Sequence, residues 1–521
     1  MNRSAGKVNL AGKLWDMDVI VIGGGIGGLS AAIGLAAGGA RVTLLEKNAR
    51  LGGKLNVWEY GGFTFDTGPH VLTMPWALDE VFQAAGRRLA AELPLTPLKT
   101  VCRYHFPRKP LLYLDIPSDP NAAAQAINDF APGQAAGFRR FLAYARQVSD
   151  ATTEPFLRQD FGASVRGVPS RQQWRQLAAF LALKPWRSLR DVVRECFSDP
   201  RLRRIFELYA LYSGSHPARC SSIFATVADV QWRQGTYYVP GGLYRLAEKL
   251  SQIAQDLGIN IATESSVKEV IVKAGRARGI RTASGERLYA DAVVCNADCL
   301  TAMKTLIPPE HRCRWPDRRV DAIEPSTSAF LLLLGVAGTY PQLAHHNSFL
   351  AADGDAEFRS IFDARRPADD PTVGVACQSV TDPTKAPPGC SNLFVMTNPP
   401  ALPPDPQSWG SQTFDWHTEA PAYREQVLCK LETMGLTDLR QRIQVEQMWT
   451  PLDLQSRYGA HRGAIYGLSS NGWRNAFLRP PQVSPDVQGL YFVGGSTHPG
   501  GGLPLCALSG MNAARRIASS E

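Results

Sequence analysis

None of the ten cysteines lies in a C-x-x-C pair, which excludes a zinc ribbon and a thioredoxin-type redox site. The two nearest, Cys295 and Cys299, have no matching ligands close by, so free thiols in a reducing cytoplasm are expected. No G-x-S-x-G, H-E-x-x-H or G-x-x-x-x-G-K-[ST] occurs, which removes the hydrolase elbow, the zinc-protease helix and the phosphate-binding loop. Charged residues make up only 20% of the chain and hydrophobic ones 44%. That balance excludes a mainly disordered chain, a collagen, a coiled coil and a many-span membrane protein. Internal repeats and low-complexity tracts are missing. The first residues lack the apolar core and cleavage site of a signal peptide. One uncharged stretch, Val19 to Ala40, is long enough to span a bilayer, but eight of its residues are Gly.

What is present is a chain of 521 residues with a formal charge of +9. The length corresponds to about three domain-sized units. A core of that size needs no disulfide or metal staple. The charge points to an anionic partner such as a nucleic acid, a phosphorylated cofactor or a lipid surface.

The Gly-rich stretch has its own logic. Asp18 to Ile22 reads as a buried strand, and Gly23, Gly25 and Gly28 fit G-x-G-x-x-G. An Ala-rich helix follows to about Ala37, then a strand from Arg41 that ends on Glu46. This order is a dinucleotide fingerprint. The first Gly permits the tight turn, the second admits a pyrophosphate, and the third lets helix and strand pack. The helix N-terminus offers unpaired N–H groups to the phosphates. Glu46 can accept from ribose hydroxyls, which argues against NADP. The motif alone does not separate FAD from NAD.

Arg50-Leu-Gly-Gly-Lys54 and Phe65-Asp-Thr-Gly-Pro-His70 follow. Near the other end, Gly489 to Pro504 reads as a strand, a Gly-rich turn and a helix from about Leu503 to Ile517. That second helix N-terminus can face a flavin that becomes anionic on reduction. The two devices are more than 400 residues apart, so the cofactor domain is expected to be assembled from both ends of the chain.

These motifs, with Gly235 to Gly242, Val293 to Asp298, Pro325 to Gly335, His345 to Phe349, Val375 to Gly389 and Val493 to Pro499, cover nearly the whole chain. Together they resemble the bacterial and fungal phytoene desaturase family, FAD-dependent carotenoid desaturases within the wider amine-oxidase-like flavoproteins. The resemblance implies an α/β fold: a Rossmann-like FAD-binding domain with an inserted α+β substrate domain. It implies that Gly23, Gly25, Gly28, Glu46, Lys47, Gly53 and Lys54 contact the ADP half of FAD. Gly68, Pro69 and His70 would lie near the flavin, and Val267 at the adenine. Gly494, Gly495 and Leu503 would make the second flavin contact. Many members of the wider superfamily carry Asp or Glu after that Gly pair, where this chain has Ser496 and Thr497.

The FAD domain is expected to use residues 14–100, 225–320 and 450–521, and the substrate domain residues 101–224 and 321–449. The apolar run Ala329 to Val336 serves as sheet core, tunnel wall, or both. His345 and His346 are adjacent, which on a strand sends them to opposite faces, and no metal is expected. His70 and His498 are the candidate proton relays. No other protein acid or base is identified, because flavin takes the hydride from a hydrocarbon and the protein only positions it.

Residues 158–204 hold eleven Arg or Lys and four acids. Trp174, Leu177, Ala178 and Leu181 follow helical spacing, with Pro185 ending the helix. A basic helix with Trp on its apolar side is either an interfacial anchor or a surface helix packed on its own domain. Since carotenoids live in bilayers, the resemblance favours the anchor and a cytoplasmic protein peripheral on the inner membrane. No nucleic-acid partner is expected, because the segment matches none of the common recognition modules. The expected activity is desaturation of an acyclic carotenoid, with O2 or a quinone as electron acceptor. The alternatives are a 3,4-desaturase or terminal oxygenase of the same family, toward which Gly500 to Leu505 leans, and a non-catalytic flavin or polyene binder.

Overall fold

The structure is a computed structural model that describes residues 14–108, 110–158, 178, 181–405, 414–472, 475 and 479–519. Most of the helical pattern around Trp174 and Leu177 lies outside these residues.

The first strand, Asp18–Ile22, is central in a five-stranded sheet. It pairs in parallel with Arg41–Leu45 on one side and Ala292–Cys295 on the other. Asn260–Ala262 and Leu490–Phe492 complete the edges, also in parallel. Val19, Ile20, Val21 and Ile22 are all buried, as a parallel strand covered on both faces requires. The helix Ile26–Ala37 follows and packs along the C-terminal helix Leu503–Ser519. Small residues allow the close approach. A Cβ on Gly34 would stand 3.0 Å from that of Ala514.

A second sheet has seven strands in the spatial order Ile443–Trp449, Phe330–Ala337, Cys390–Thr397, Val373–Ala376, His346–Phe349, Thr100–Phe106 and Leu112–Pro117. Neighbours are antiparallel except for His346–Phe349 against Thr100–Phe106. The Ala329–Val336 run serves both of its expected purposes. Phe330, Leu332 and Leu334 pack with Tyr423, Val427 and Leu431 of the helix Ala420–Thr433. Leu331 and Leu333 face the other way, with Ala376, Phe394 and Met396. Period-two alternation produces this division.

His345 and His346 depart from the expectation for adjacent strand residues. Their ring centroids are 4.9 Å apart. The strand starts at His346, so alternation does not govern His345.

Six arginines in the described part of the basic segment form ion pairs. Arg158 meets Glu80, Arg187 meets Glu195, and Arg190 meets Glu207 and Asp355. Arg194 meets Glu207, Arg201 meets Asp199, and Arg204 meets Glu357. Several of these acids come from outside the segment, so its charge excess is partly neutralised in the fold. No helix among the described residues is long and apolar enough to cross a membrane.

Candidate functional site

A cavity of about 970 Å³ runs from the parallel sheet to the seven-stranded one. At its first end the strand Asp18–Ile22 turns at Gly23, whose φ is +93°. The helix opens with Gly25 as N-cap, with no side-chain cap and no acid in its first turn. Its terminal N–H groups are therefore left for a ligand. Gly52 pairs with this turn and donates its N–H to the Gly24 carbonyl at 2.8 Å. Glu46 is buried. Its carboxylate accepts from the Gly24 N–H at 2.8 Å and from the Asn48 N–H and Nδ2 at 2.9 and 2.8 Å. Those donors fix the carboxylate at the cavity edge.

The two lysines are restrained as well. Lys47 Nζ donates to the Ser456 carbonyl at 2.9 Å, and Lys54 Nζ to that of Ile465 at 2.8 Å. Burial pulls the Lys54 ammonium below its usual pKa. On the far wall, Gly494 takes φ +97° and Leu503 opens the C-terminal helix. The hydroxyls that follow the Gly494–Gly495 pair are used by the protein itself. Ser496 Oγ accepts from the Cys299 N–H at 2.7 Å, and Thr497 Oγ1 donates to the Pro480 carbonyl at 2.6 Å.

Gly23, Gly25, Glu46, Lys47, Gly53, Lys54, Gly68, Pro69, His70, Val267, Gly494, Gly495 and Leu503 all line this one cavity. Gly28 and His498 are not on its wall. A Cβ on Gly28 would stand 2.0 Å from the Gly23 carbonyl oxygen, so its place is helix–strand packing. His498 is buried, with its ring edge-on to Phe156 at 4.8 Å.

The other end of the cavity has the seven-stranded sheet as its floor. Strand register groups the floor residues into rows. Cys102, His346, Ala376 and Phe394 form the first row, and Tyr104, Ser348, Gly374, Met396 and Leu331 the second. Thr372, Asn398 and Ala329 continue beyond them. Leu208, Tyr209, Ile223 and Val227 line the opposite wall.

The floor closes behind the first row. There the strand Phe63–Asp66 lies on the sheet. Asn392 Nδ2 donates to the Thr64 carbonyl at 2.9 Å, and Gln378 Nε2 to Asp66 Oδ2 at 2.6 Å. His70 caps this end, its ring 4.0 Å from that of Phe394 and 6.2 Å from that of His346. A chain lying on the floor therefore meets a wall of His70, His346 and Phe394.

Burial keeps these histidines neutral. It pushes the pKa of His70 and of His345 down to about 4, and that of His346 well below its ordinary value. His70 Nε2 lies 3.1 Å from the Asp66 carbonyl oxygen, and His345 Nδ1 lies 2.8 Å from Thr381 Oγ1. His346 Nε2, Asn398 Nδ2 and Arg479 Nη1 are buried without a hydrogen-bond partner among the described residues, and all three side chains border the cavity. From the sequence His346 is weighed only as a metal ligand and set aside, and Asn398 and Arg479 are not singled out. The available signal was the small and polar period-two pattern of His346, Ser348, Gly374 and Ala376 on short strands. Among the described residues no cluster of His, Cys, Asp and Glu is arranged to hold a metal ion.

Comparison with known proteins gives a consistent result. A family described as flavin containing amine oxidoreductase matches residues 26–518. The chain is 37% identical over 494 residues to a 4,4'-diapolycopene oxygenase of Methylomonas sp., covering 94% of this chain and 96% of that one. It is 32% identical over 505 residues to a 4,4'-diaponeurosporene oxygenase of Staphylococcus aureus, covering 96% and 98%. Among solved structures, an oxidoreductase from Methanosarcina mazei aligns with a TM-score of 0.62 at 18% identity, over 95% of this chain and 99% of that one. Cyclohexylamine oxidase from Brevibacterium oxydans aligns with a TM-score of 0.56 at 18% identity, over 97% and 99%.

Proposed function

This chain belongs to the flavin containing amine oxidoreductase family and is an FAD-dependent oxidoreductase, and from that premise we propose that it oxidises the terminal carbon of a linear carotenoid. The observation that carries the proposal is the closed end of the cavity floor at His70, His346 and Phe394. A polyene that runs into a wall there presents its end to the chemistry. One that passed through would present an inner bond. The names of the two relatives support the same choice, and it takes precedence over mid-chain phytoene desaturation.

The residues present fit FAD. A Cβ on Gly25 would fill the turn, 2.8 Å from Asn296 Nδ2, and the bare helix N-terminus beside it suits a pyrophosphate. In this reading Glu46 holds ribose hydroxyls and the backbone at Val267 meets the adenine. Gly53 and Lys54 flank the phosphates, with Lys47 beside them. Gly68, Pro69, His70, Gly494, Gly495 and Leu503 frame the flavin. Bound FAD supplies two-electron redox chemistry that no side chain of this protein has.

The chain's own residues do the rest. The floor and the wall of Leu208, Tyr209 and Val227 hold the hydrocarbon and exclude water. Neutral His70 and His346 leave no charge beside the reacting carbon. Conversion of a terminal methyl group to an aldehyde takes up one O2 and releases one water, which balances without a further reductant. O2 is therefore both oxidant and oxygen source in this proposal, and a quinone would be needed only for desaturation.

The division into FAD pieces 14–100, 225–320 and 450–521 and substrate pieces 101–224 and 321–449 belongs to the same proposal. It is supported by the five-stranded sheet, whose strands all come from the first set. A seat on the inner membrane surface suits so apolar a substrate. Charge reversal at Arg171, Arg175, Lys184 and Arg187 should then weaken binding to anionic liposomes, and unchanged binding would reject the seat.

The test of function is the purified FAD-loaded enzyme with phytoene and with 4,4'-diapolycopene under labelled O2. A labelled terminal aldehyde from the second substrate is expected. A lengthened chromophore without oxygen would overturn the terminal reading.

A further inference from the structure

We propose that Gly374 is the point at which the polyene crosses the sheet floor, and that its missing side chain sets the thickness of chain the cavity admits. The inference rests on the carotenoid reading above and adds a specificity-determining residue to it.

Gly374 lies within the four-residue strand Val373–Ala376, between Ser348 on one neighbour and Met396 on the other. Val373 and Val375 pack into the core on the opposite face. Gly inside a strand weakens it, because it adds chain entropy to the unfolded state and packs nothing. The position therefore needs a reason, and two ordinary ones fail. Gly374 is absent from the glycines with positive φ, so the backbone conformation is open to any residue. Packing does not require it either. A Cβ there would meet only the Met396 carbonyl oxygen, at 3.7 Å, an ordinary contact.

Gly335 in the same sheet shows the contrast. Its Cβ would stand 2.7 Å from the Phe63 ring, so protein packing accounts for it. Nothing in the protein fills the space over Gly374. That space is cavity.

A second observation marks this place as one that receives a ligand. In the adjoining row His346 borders the cavity with Nε2 buried and without a hydrogen-bond partner among the described residues. The track from Gly374 past Ala376 leads to that ring and to Phe394, where the floor ends. A flat polyene laid along it touches backbone at Gly374 and side chains elsewhere. Any side chain at 374 would lift the chain from the floor and move its end away from the wall.

The test uses the full-length, FAD-loaded enzyme with Gly374→Ala, Gly374→Val and Gly374→Leu. Each is measured for melting temperature, flavin content, and kcat and KM with 4,4'-diapolycopene. The expected result is an unchanged or raised melting temperature, since Val suits a strand, with unchanged flavin content. Alongside it, kcat/KM should fall roughly tenfold or more for Val and Leu, the range of overpacking a filled site, and less for Ala. Wild-type kcat/KM in Gly374→Val would overturn the assignment. So would a loss of fold or flavin in all three, because packing would then explain the glycine. If the wild-type enzyme turns over no carotenoid, the functional reading fails by itself. Gly374 is then judged on binding of the linear polyene, followed by quenching of protein fluorescence, and equal affinities of wild type and Gly374→Val would overturn it.

Discussion

Replacing Gly28 with alanine should damage the fold of the apoprotein before any question of cofactor arises. The added Cβ would lie 2.0 Å from the Gly23 carbonyl oxygen, where real Cβ contacts essentially never fall below 3.0 Å. The helix Ile26–Ala37 must then move about 1 Å from the strand it follows. It has no room to do so. A Cβ on neighbouring Gly27 would already stand 2.9 Å from Gly494 Cα, and one on Gly510 of the C-terminal helix would stand 2.3 Å from the Gly27 carbonyl oxygen. With the helix held on both sides, the cost belongs at the upper end of overpacking penalties, about 3 kcal/mol. The assay is urea unfolding of FAD-free protein, compared with Gly374→Ala. Because the Gly374 site is open and its backbone ordinary, that control should gain up to about 1 kcal/mol. Gly28→Ala apoprotein as stable as wild type, within about 0.5 kcal/mol, would refute the packing role and return Gly28 to the cofactor site.

Phe394→Ala should open the wall behind the reacting end and shift products from terminal oxidation toward inner-chain oxidation; an unchanged product profile on chromatography would reject the wall. Gly25→Leu should yield folded protein without flavin, and a yellow, flavin-loaded variant would reject the turn as the pyrophosphate seat. Asp66 is fully buried and accepts from the Leu243 and Tyr244 N–H groups and from Gln378 Nε2, so Asp66→Ala should cost on the order of 3 kcal/mol in urea unfolding. His70 is held neutral with a pKa of about 4, whereas an unfolded His titrates near 6.5. Between those values only the unfolded state takes up the proton. Its contribution is therefore complete above about pH 6.5 and declines toward pH 4, by on the order of 3 kcal/mol. His70→Phe should flatten that part of the stability profile, and an identical acid limb in wild type and variant would reject the assignment.

The fingerprint was legible because its residues are contiguous and each glycine has its own steric reason. Gly23 needs its positive φ, Gly25 its open turn and Gly28 its close packing. The strand from Phe330 was legible for a similar reason, since a continuous apolar run is what a strand covered on both faces demands. The cavity floor was not. It is assembled by cross-strand register from Cys102, His346, Gly374 and Phe394, and register leaves no trace in any one segment. His345 and His346 were misplaced because alternation holds only inside a strand, and the strand begins between them. The basic segment was counted without its partners. Glu80 and Glu357, which pair with Arg158 and Arg204, lie far from it in sequence.

The C-terminal helix that covers the Ile26–Ala37 helix also gives the protein a timetable. A ribosome adds roughly 5–20 residues per second, so tens of seconds separate synthesis of the first Gly-rich turn from that of its cover. During that interval Gly27, Ser30, Ala31 and Gly34, the face on which Gly510, Met511 and Ala514 pack in the finished molecule, have no C-terminal helix over them. The nascent chain thus carries one uncovered face of this helix through most of its own translation. A chain without the segment Leu503–Ser519 would leave the first helix without its cover.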